Sequence, residues 1–332
     1  MIDWSIVLFT FVKIVVVFAC VMLCVAYLTW IERKVIGHIQ IRVGPMYAGW
    51  HGLLQPIADG VKLFFKEDIM PRMANKVLFV LAPTISIIPA LMTFAVIPFG
   101  DHTAFFGLLK NPEPMRIAEL NIGILYIFAL AGLGSYGVVF GGWSANNKYA
   151  LMGALRGSAQ MISYELALTL SVIGVIMISG SLNLVEIVNA QKDVWNIVYQ
   201  PVAFIMYLIC GIAELNRTPF DMPEAESELV AGFHADYSSM KFAMFFMAEY
   251  ANMITVASLA TTLFLGGWHG PFLPPLVWFI IKVFVLIFFF IWVRATYPRV
   301  RFDQLMKLGW KVMVPIALAN IFVTGLVMML IN

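Results

Sequence analysis

Residues 201–228 read Pro-Val-Ala-Phe-Ile-Met-Tyr-Leu-Ile-Cys-Gly-Ile-Ala-Glu-Leu-Asn-Arg-Thr-Pro-Phe-Asp-Met-Pro-Glu-Ala-Glu-Ser-Glu. The stretch opens with an uncharged apolar run. It then passes into a segment where Glu214, Asp221, Glu224, Glu226 and Glu228 crowd around a single cation, Arg217. A second apolar run over 242–266 follows, interrupted by Glu249. Carboxylates packed this closely are ordinary in a water-exposed loop. Between two hydrocarbon segments they stand beside a bilayer, where ionised groups are expensive and mark function.

Working outward, the rest of the chain has the same character. Of 332 residues 61% are hydrophobic and 12% charged, against about a quarter charged in soluble domains. Apolar runs near 20 residues match the thickness of a bilayer core. Backbone groups in lipid must pair internally, so these runs are helices. The composition predicts an all-α integral membrane protein forming a single domain over 1–332. It has eight spanning helices at about 5–30, 77–99, 121–142, 157–180, 200–214, 242–266, 275–294 and 312–331, the fifth being the shortest. Asp3 precedes a first run that is long and lacks a small-residue cleavage site, so the start reads as a span and not as a cleaved leader.

Sixteen of the 21 Lys and Arg residues fall in the first, third, fifth and seventh loops, and three in the others. By the positive-inside rule the odd loops face the cytoplasm and both termini lie outside. Within the first loop, Leu53, Leu54, Ile57, Val61, Phe64 and Phe65 share one helical face, with Asp59, Lys62 and Lys66 opposite and Pro56 at an early helical position. That pattern predicts an amphipathic helix at the membrane interface or docked on another subunit.

Three carboxylates interrupt apolar helices. Glu165 and Glu249 each lie about eight residues, or roughly 12 Å, from the inner end of their spans, and Glu214 ends a run that carries it about 20 Å across a core near 30 Å thick. All three fall at nearly one level on the cytoplasmic half. Carboxyl groups buried together cannot all ionise cheaply, so they exchange protons. A purely structural pairing with Arg or Lys is the alternative. Lys13 and Lys282 lie near the outer face, where a lysine can snorkel to water. Arg33, Arg42, Arg217 and Arg294 come with Glu32, Asp59 and Asp303, a set of paired charges that suits a docking surface or a polar-walled cavity.

Other chemistry has no motif to carry it. The sequence contains no Walker loop, dinucleotide fingerprint, zinc spacing or nucleophile elbow. His38, His51, His102, His234 and His269 form no metal or haem pairing. Cys20, Cys24 and Cys210 read as inert buried thiols. The net charge of +2 gives no reason to expect nucleic acid.

Several segments carry a resemblance. These are Ile-Glu-Arg-Lys-Val-Ile-Gly (31–37), Arg-Val-Gly-Pro (42–45), Leu-Leu-Gln-Pro-Ile-Ala-Asp-Gly-Val-Lys-Leu (53–63), Gly-Trp-Ser-Ala-Asn-Asn-Lys-Tyr-Ala-Leu (142–151) and Ala-Leu-Arg-Gly-Ser-Ala-Gln-Met-Ile-Ser-Tyr-Glu (154–165). They continue with Ala-Glu-Leu-Asn-Arg-Thr-Pro-Phe-Asp (213–221), Ala-Glu-Tyr (248–250) and Arg-Ala-Thr-Tyr-Pro-Arg-Val-Arg-Phe-Asp-Gln-Leu (294–305). Together they resemble the quinone-channel membrane subunit of respiratory complex I, a family of bacterial subunits with a mitochondrial counterpart. The resemblance covers essentially the whole chain, and its wording is bacterial, which implies the bacterial inner membrane.

The resemblance implies a subunit of the proton-translocating NADH:quinone oxidoreductase, at the junction of the peripheral and membrane arms. It would hold no cofactor or metal and no catalytic residue of its own. FMN and iron–sulfur clusters would belong to partner subunits, and quinone (ubiquinone or a relative) would be substrate. Its partners would be peripheral-arm quinone-site and iron–sulfur subunits, small membrane subunits and lipid. Quinone would enter near the first span, the sixth span and the interfacial helix. Carried over, Arg33, Arg42, Asp59, Arg217, Glu226 and Arg294 would line or support the tunnel. Glu165, Glu214, Glu249, Asp221, Glu224 and Glu228 would form an acidic funnel to the proton path. At 234–239 the chain departs from the family's usual wording, with Asp236 shortening a Glu and Ser239 replacing a Gly. Related hydrogenase or ferredoxin- and coenzyme-linked dehydrogenase subunits are the nearest alternative. A stand-alone ion transporter is disfavoured because no repeat or discontinuous-helix pair is present.

Overall fold

The computed structural model describes residues 4–100, 102–103 and 113–331. Thirteen α-helices are found among them: α1 Trp4–Ile39, α2 Gln55–Phe65, α3 Lys76–Met92, α4 Gly123–Ser144, α5 Lys148–Ser179, α6 Leu184–Ala190, α7 Asn196–Tyr199, α8 Pro201–Glu214, α9 Glu226–Leu229, α10 Ser239–Phe264, α11 Pro275–Thr296, α12 Phe302–Lys307 and α13 Val314–Ile331. A π-helical turn, Leu308–Met313, joins the last two into one rod. The only strands among the described residues are a two-residue antiparallel pair, His102–Thr103 with Glu113–Pro114.

Seven helices are long and apolar enough to cross a membrane; α8 is apolar but has only 14 residues. This is an all-α integral membrane protein, and eight apolar helices stand where the hydropathy places eight runs. The ends differ in an informative way. The first helix continues past 30 to Ile39 because Glu32 and Arg33 find partners, so the first charged residue does not stop it. The fourth apolar run begins at Lys148, not 157, with Asn147 capping it by accepting from the Tyr149 amide. That puts Glu165 some 17 residues from the inner end of α5, and depth counted from that end is wrong. Counted from the outer ends of α5, α8 and α10, the three glutamates lie 14, 13 and 15 residues in, or about 20–22 Å. The three counts agree to within two residues, or about 3 Å of helical rise.

One core of small and aliphatic side chains runs through α3, α5, α8, α10 and α11. Close approach of α4 and α5 depends on Gly142, where a Cβ would stand 2.3 Å from the Ala150 carbonyl oxygen and 2.5 Å from the Ala154 methyl. Cys210 is buried, but Cys20 and Cys24 lie on the exposed side of α1, contrary to the expectation of three buried thiols.

The amphipathic helix forms as α2, and no residue in it is buried. It is tied at both ends. Arg33 Nη1 donates to Asp59 Oδ2 at 2.6 Å, and the Trp30 indole donates to the His51 carbonyl at 3.3 Å. Further along, Ser239 and Ser238 donate to the carbonyls of Leu63 and Glu67, and Lys241 pairs with Asp68 at 2.7 Å. Thus α2 is fixed between α1 and α10.

Lys282 does not snorkel to water. Its ammonium donates to the carbonyls of Leu265 (2.6 Å), Gly267 (2.9 Å) and His269 (2.6 Å) beneath the Trp195 ring. The lysine closes the outer end of α10 by supplying the donors that the helix terminus lacks. Gln191 and Asn196 complete this lid by donating to the Thr262 and Leu263 carbonyls.

Candidate functional site

The site lies where the C-terminal parts of α1, α4 and α11 and the N-terminal parts of α5 and α10 meet the 215–235 connection. Leu215 ends α8, and Asn216 turns the chain at φ 54°. Gln160 on α5 holds this turn by donating to the carbonyls of Ala213 and Phe220, each at 2.7 Å. One buried amide thereby sets both ends of the Glu214–Asp221 segment.

Held in this way, Arg217 is buried between α1 and α10. Its Nε donates to Glu249 Oε1 at 2.5 Å, its Nη1 donates to Glu32 Oε2 at 2.7 Å, and its guanidinium lies 4.4 Å from the Tyr250 ring centre. Burial alone works against the guanidinium charge. Glu249 and then Glu32 outweigh it and hold the group well above the ordinary arginine range. Glu32 uses its other oxygen to accept from Arg294 on α11. The sequence Glu249–Arg217–Glu32–Arg294 is therefore one continuous ionic chain across three helices and a loop.

A cavity of about 60 Å³, counted at water centres, adjoins this chain. A water needs on the order of 10–15 Å³ by that measure, so several fit. Glu214, Glu224 and Glu249 line it, with Ser86, Ser135, Asn216 and Asn252 adding polar groups. Glu165 is the electrostatic neighbour of Glu214. Its carboxyl faces α4 at Gly132, where a Cβ would lie 2.9 Å from Oε1. Neither Glu165 nor Glu214 has an ion-pair partner among the described residues.

Outside the spans, burial lifts Glu224 well above the ordinary carboxylate range. Glu249 and Asp221 push in the same direction, against Arg294 and Arg217. Burial also raises Asp221, despite its 2.6 Å pair with Arg299.

The structure brings together most of the residues that the sequence singles out. Arg33 and Asp59 form a pair at the α1–α2 junction, and Arg217 and Arg294 meet through Glu32. Glu214, Glu224 and Glu249 share the cavity, Asp221 pairs with Arg299, and Glu228 pairs with Arg156 at 2.7 Å. Arg42 stands apart, donating to Gln40 on the exposed loop. The side chain of Glu226 lies outside those described. The division into tunnel and funnel sets is not a spatial one, because Glu249 of the second bonds Arg217 of the first.

Three participants are not singled out by the sequence. Arg156 and Arg299 lie inside the resembling segments, but nothing in their spacing announces a partner 72 or 78 residues away. His234 has no metal spacing, yet it lies 3.6 Å from Glu224. Among the described residues no group of three or more His, Cys, Asp or Glu could hold a metal ion.

Comparison with known proteins agrees with this architecture. Residues 12–325 match the family described as NADH dehydrogenase. The second of the H-type NADH-quinone oxidoreductase subunits of Geobacter metallireducens is 60% identical over 329 residues, covering 96% of this chain and 95% of that one. The first H-type subunit of Geobacter sulfurreducens is 59% identical with 96% and 94% coverage, and the second of Rhizobium meliloti is 50% identical with 95% and 96% coverage. With identity this high along nearly its whole length, the chain belongs to the NADH dehydrogenase family, among its membrane-embedded H-type subunits.

Proposed function

We propose that the chain is the subunit of a NADH:quinone oxidoreductase that guides quinone between the membrane and the peripheral arm and passes the charge change into an acidic cavity with room for several waters. The other subunits of that complex are its partners. FMN and iron–sulfur clusters belong to those partners, quinone is the substrate, and this chain contributes binding, orientation and proton-holding groups. The loop charges support an orientation with both termini outside, and the bacterial relatives support a bacterial inner membrane. Relatives named as oxidoreductase subunits set aside the hydrogenase-type and stand-alone transporter readings.

The observation that carries the reading is the position of Glu249. It lines the cavity and simultaneously bonds Arg217, which reaches Glu32 and, through it, Arg294. In this reading, negative charge arriving on the Arg294–Arg217 side competes for the arginines and loosens their hold on Glu249. The loosened carboxylate then takes up a proton from the cavity, where Glu214 stands next and Glu165 is its electrostatic neighbour. Quinone would reach the arginines past α1, α2 and α10, the elements that the Arg33–Asp59 and Lys241–Asp68 pairs fix in place.

Two measurements on the assembled complex test this. A photoreactive quinone analogue should label residues in α1 or within 53–66 in intact membranes, and clean absence of label there removes the tunnel. Glu214→Gln should abolish quinone-coupled pumping while NADH oxidation by a soluble acceptor stays intact. Normal pumping in that variant removes the cavity from the proton path.

A further inference from the structure

His234 is a buried titratable group that the proposed function does not use. It ends the short 3-10 turn Gly232–His234, which is docked on α5. At Gly153 on α5, a Cβ would stand 3.0 Å from the Gly232 Cα and 3.2 Å from the Phe233 amide nitrogen. Val230, Ala231 and Gly232 all adopt positive φ, at 53°, 72° and 56°. Gly232 cannot carry a side chain here, since its Cβ would fall 1.7 Å from the Pro223 carbonyl oxygen. The chain thus doubles back tightly enough to set residue 234 against residue 224.

The imidazole has aromatic walls. Phe233, Phe242 and Phe246 meet it edge-on, with centroids 5.1, 5.4 and 5.9 Å away. Phe233 and Phe246 also line the acidic cavity. Nδ1 is buried without a hydrogen-bond partner and lies 3.6 Å from Glu224 Oε1. A small side-chain rotation or one bridging water would connect them. The charged groups acting on Glu224 are Glu249 on α10, Asp221 and Arg217 on the connection after α8, and Arg294 on α11.

We infer that His234 is the proton acceptor for Glu224, so that the two form an exchange pair at the loop side of the cavity. The inference rests on the proposed role of that cavity. In the resting pair both partners are neutral. The Glu224 carboxyl carries one proton, and His234 carries its own on Nε2, leaving the Nδ1 lone pair free. Burial is consistent with this, lowering the imidazole to about 4 and raising Glu224. In the exchanged pair the Oε1 proton has moved to Nδ1, giving carboxylate and imidazolium.

The transfer is driven from Glu249. While it is ionised, its charge opposes ionisation of Glu224. Once Glu249 is protonated that repulsion is gone, and Glu224 passes its proton to His234 and stays as the carboxylate. Protonation on α10 is thereby linked to a proton on the 222–234 loop, without direct contact between Glu249 and His234.

The test uses the intact complex in proteoliposomes with a short-chain quinone. His234→Phe keeps the ring among its aromatic neighbours but removes the base, and His234→Gln keeps a polar side chain without it. Assembly is checked on native gels, and His234→Gln serves if His234→Phe fails to assemble. Both variants should oxidise NADH normally with a soluble acceptor. Pumping should fall by about tenfold or more, below the usual contribution of a positioned acid–base group because other steps share the rate. Pumping by the parent should fall as pH drops toward about 4, where the resting imidazole takes up a proton, and the variants should lose that limb of the profile. Adding Glu224→Gln should cause no further loss. Parent-like pumping with a parent-like pH profile in an assembled His234 variant overturns the inference. If Glu214→Gln and Glu249→Gln pump normally as well, the cavity reading fails with it. If those two are impaired while His234 variants are not, the exchange pair alone is refuted.

Discussion

Replacing Arg217 with methionine removes the centre of the ionic chain, and the geometry fixes how large the effect is and who bears it. Arg217 is 4% exposed and makes two charge-assisted hydrogen bonds, at 2.5 Å to Glu249 and 2.7 Å to Glu32. Removing one partner of a buried ion pair costs about 3–5 kcal/mol because the other charge is left uncompensated. The two glutamates are not equally affected. Glu32 keeps Arg294, whereas Glu249 keeps no ion-pair partner among the described residues. The penalty therefore falls mainly on Glu249.

Arg217→Met should lose about 3–5 kcal/mol, read as denaturant-induced unfolding in mixed micelles by tryptophan fluorescence. Adding Glu249→Gln should restore most of that loss. Adding Glu32→Gln instead should restore little, because Arg294 would then lose its partner. Equal rescue by the two second-site changes, or a stable single variant, refutes the claim that Glu249 depends on Arg217. Strong coupling is expected between residues in direct contact and can be read from the double-mutant cycle.

Other perturbations follow from the same structure. Gly142→Val places side-chain atoms where even a Cβ would be 2.3 Å from the Ala150 carbonyl; α4 and α5 must separate, at a cost of about 1–3 kcal/mol, visible as reduced assembly and a lower unfolding midpoint. Lys282→Met strips three carbonyls of their donor, and hydrogen exchange should rise across 263–270 while the rest of the bundle stays protected. His234 is held neutral to about pH 4 in the fold, whereas a free histidine titrates near 6.5. Between those values the unfolded chain binds the extra proton, so stability falls as pH falls. His234→Gln should therefore gain on the parent by about 2 kcal/mol between pH 7 and pH 5. Glu224 contributes with the opposite sign in both proteins and cancels from the comparison. An unchanged difference would place the ring in water.

The spans are legible because lipid makes a demand that acts along the chain: about 20 apolar residues must be helical wherever they fall. The amphipathic stretch around Pro56 is legible for a related reason, since its pattern repeats at the helical period. Ends are less so. Stopping the first span at the charges 32–34 assumes that charge means water, but Glu32 is buried against two arginines from distant segments. The same assumption places Lys282 at a water surface when the carbonyls closing α10 serve instead. The similar counts for Glu165, Glu214 and Glu249 survive a wrong choice of inner end, because each lies 13–15 residues from the other end of its helix.

By itself, then, the sequence determined that this is a bundle of membrane helices with carboxylates at one depth and a charged loop beside them. Hydropathy, helical rise and loop charge are properties of neighbouring residues. Which carboxylate meets which arginine was decided only in the tertiary structure. Glu249 and Glu32 lie 32 and 185 residues from Arg217, and no periodicity spans such gaps. Packing of α1, α10 and α11 around the 215–235 connection selects these pairs, and the fold of that connection sets His234 beside Glu224.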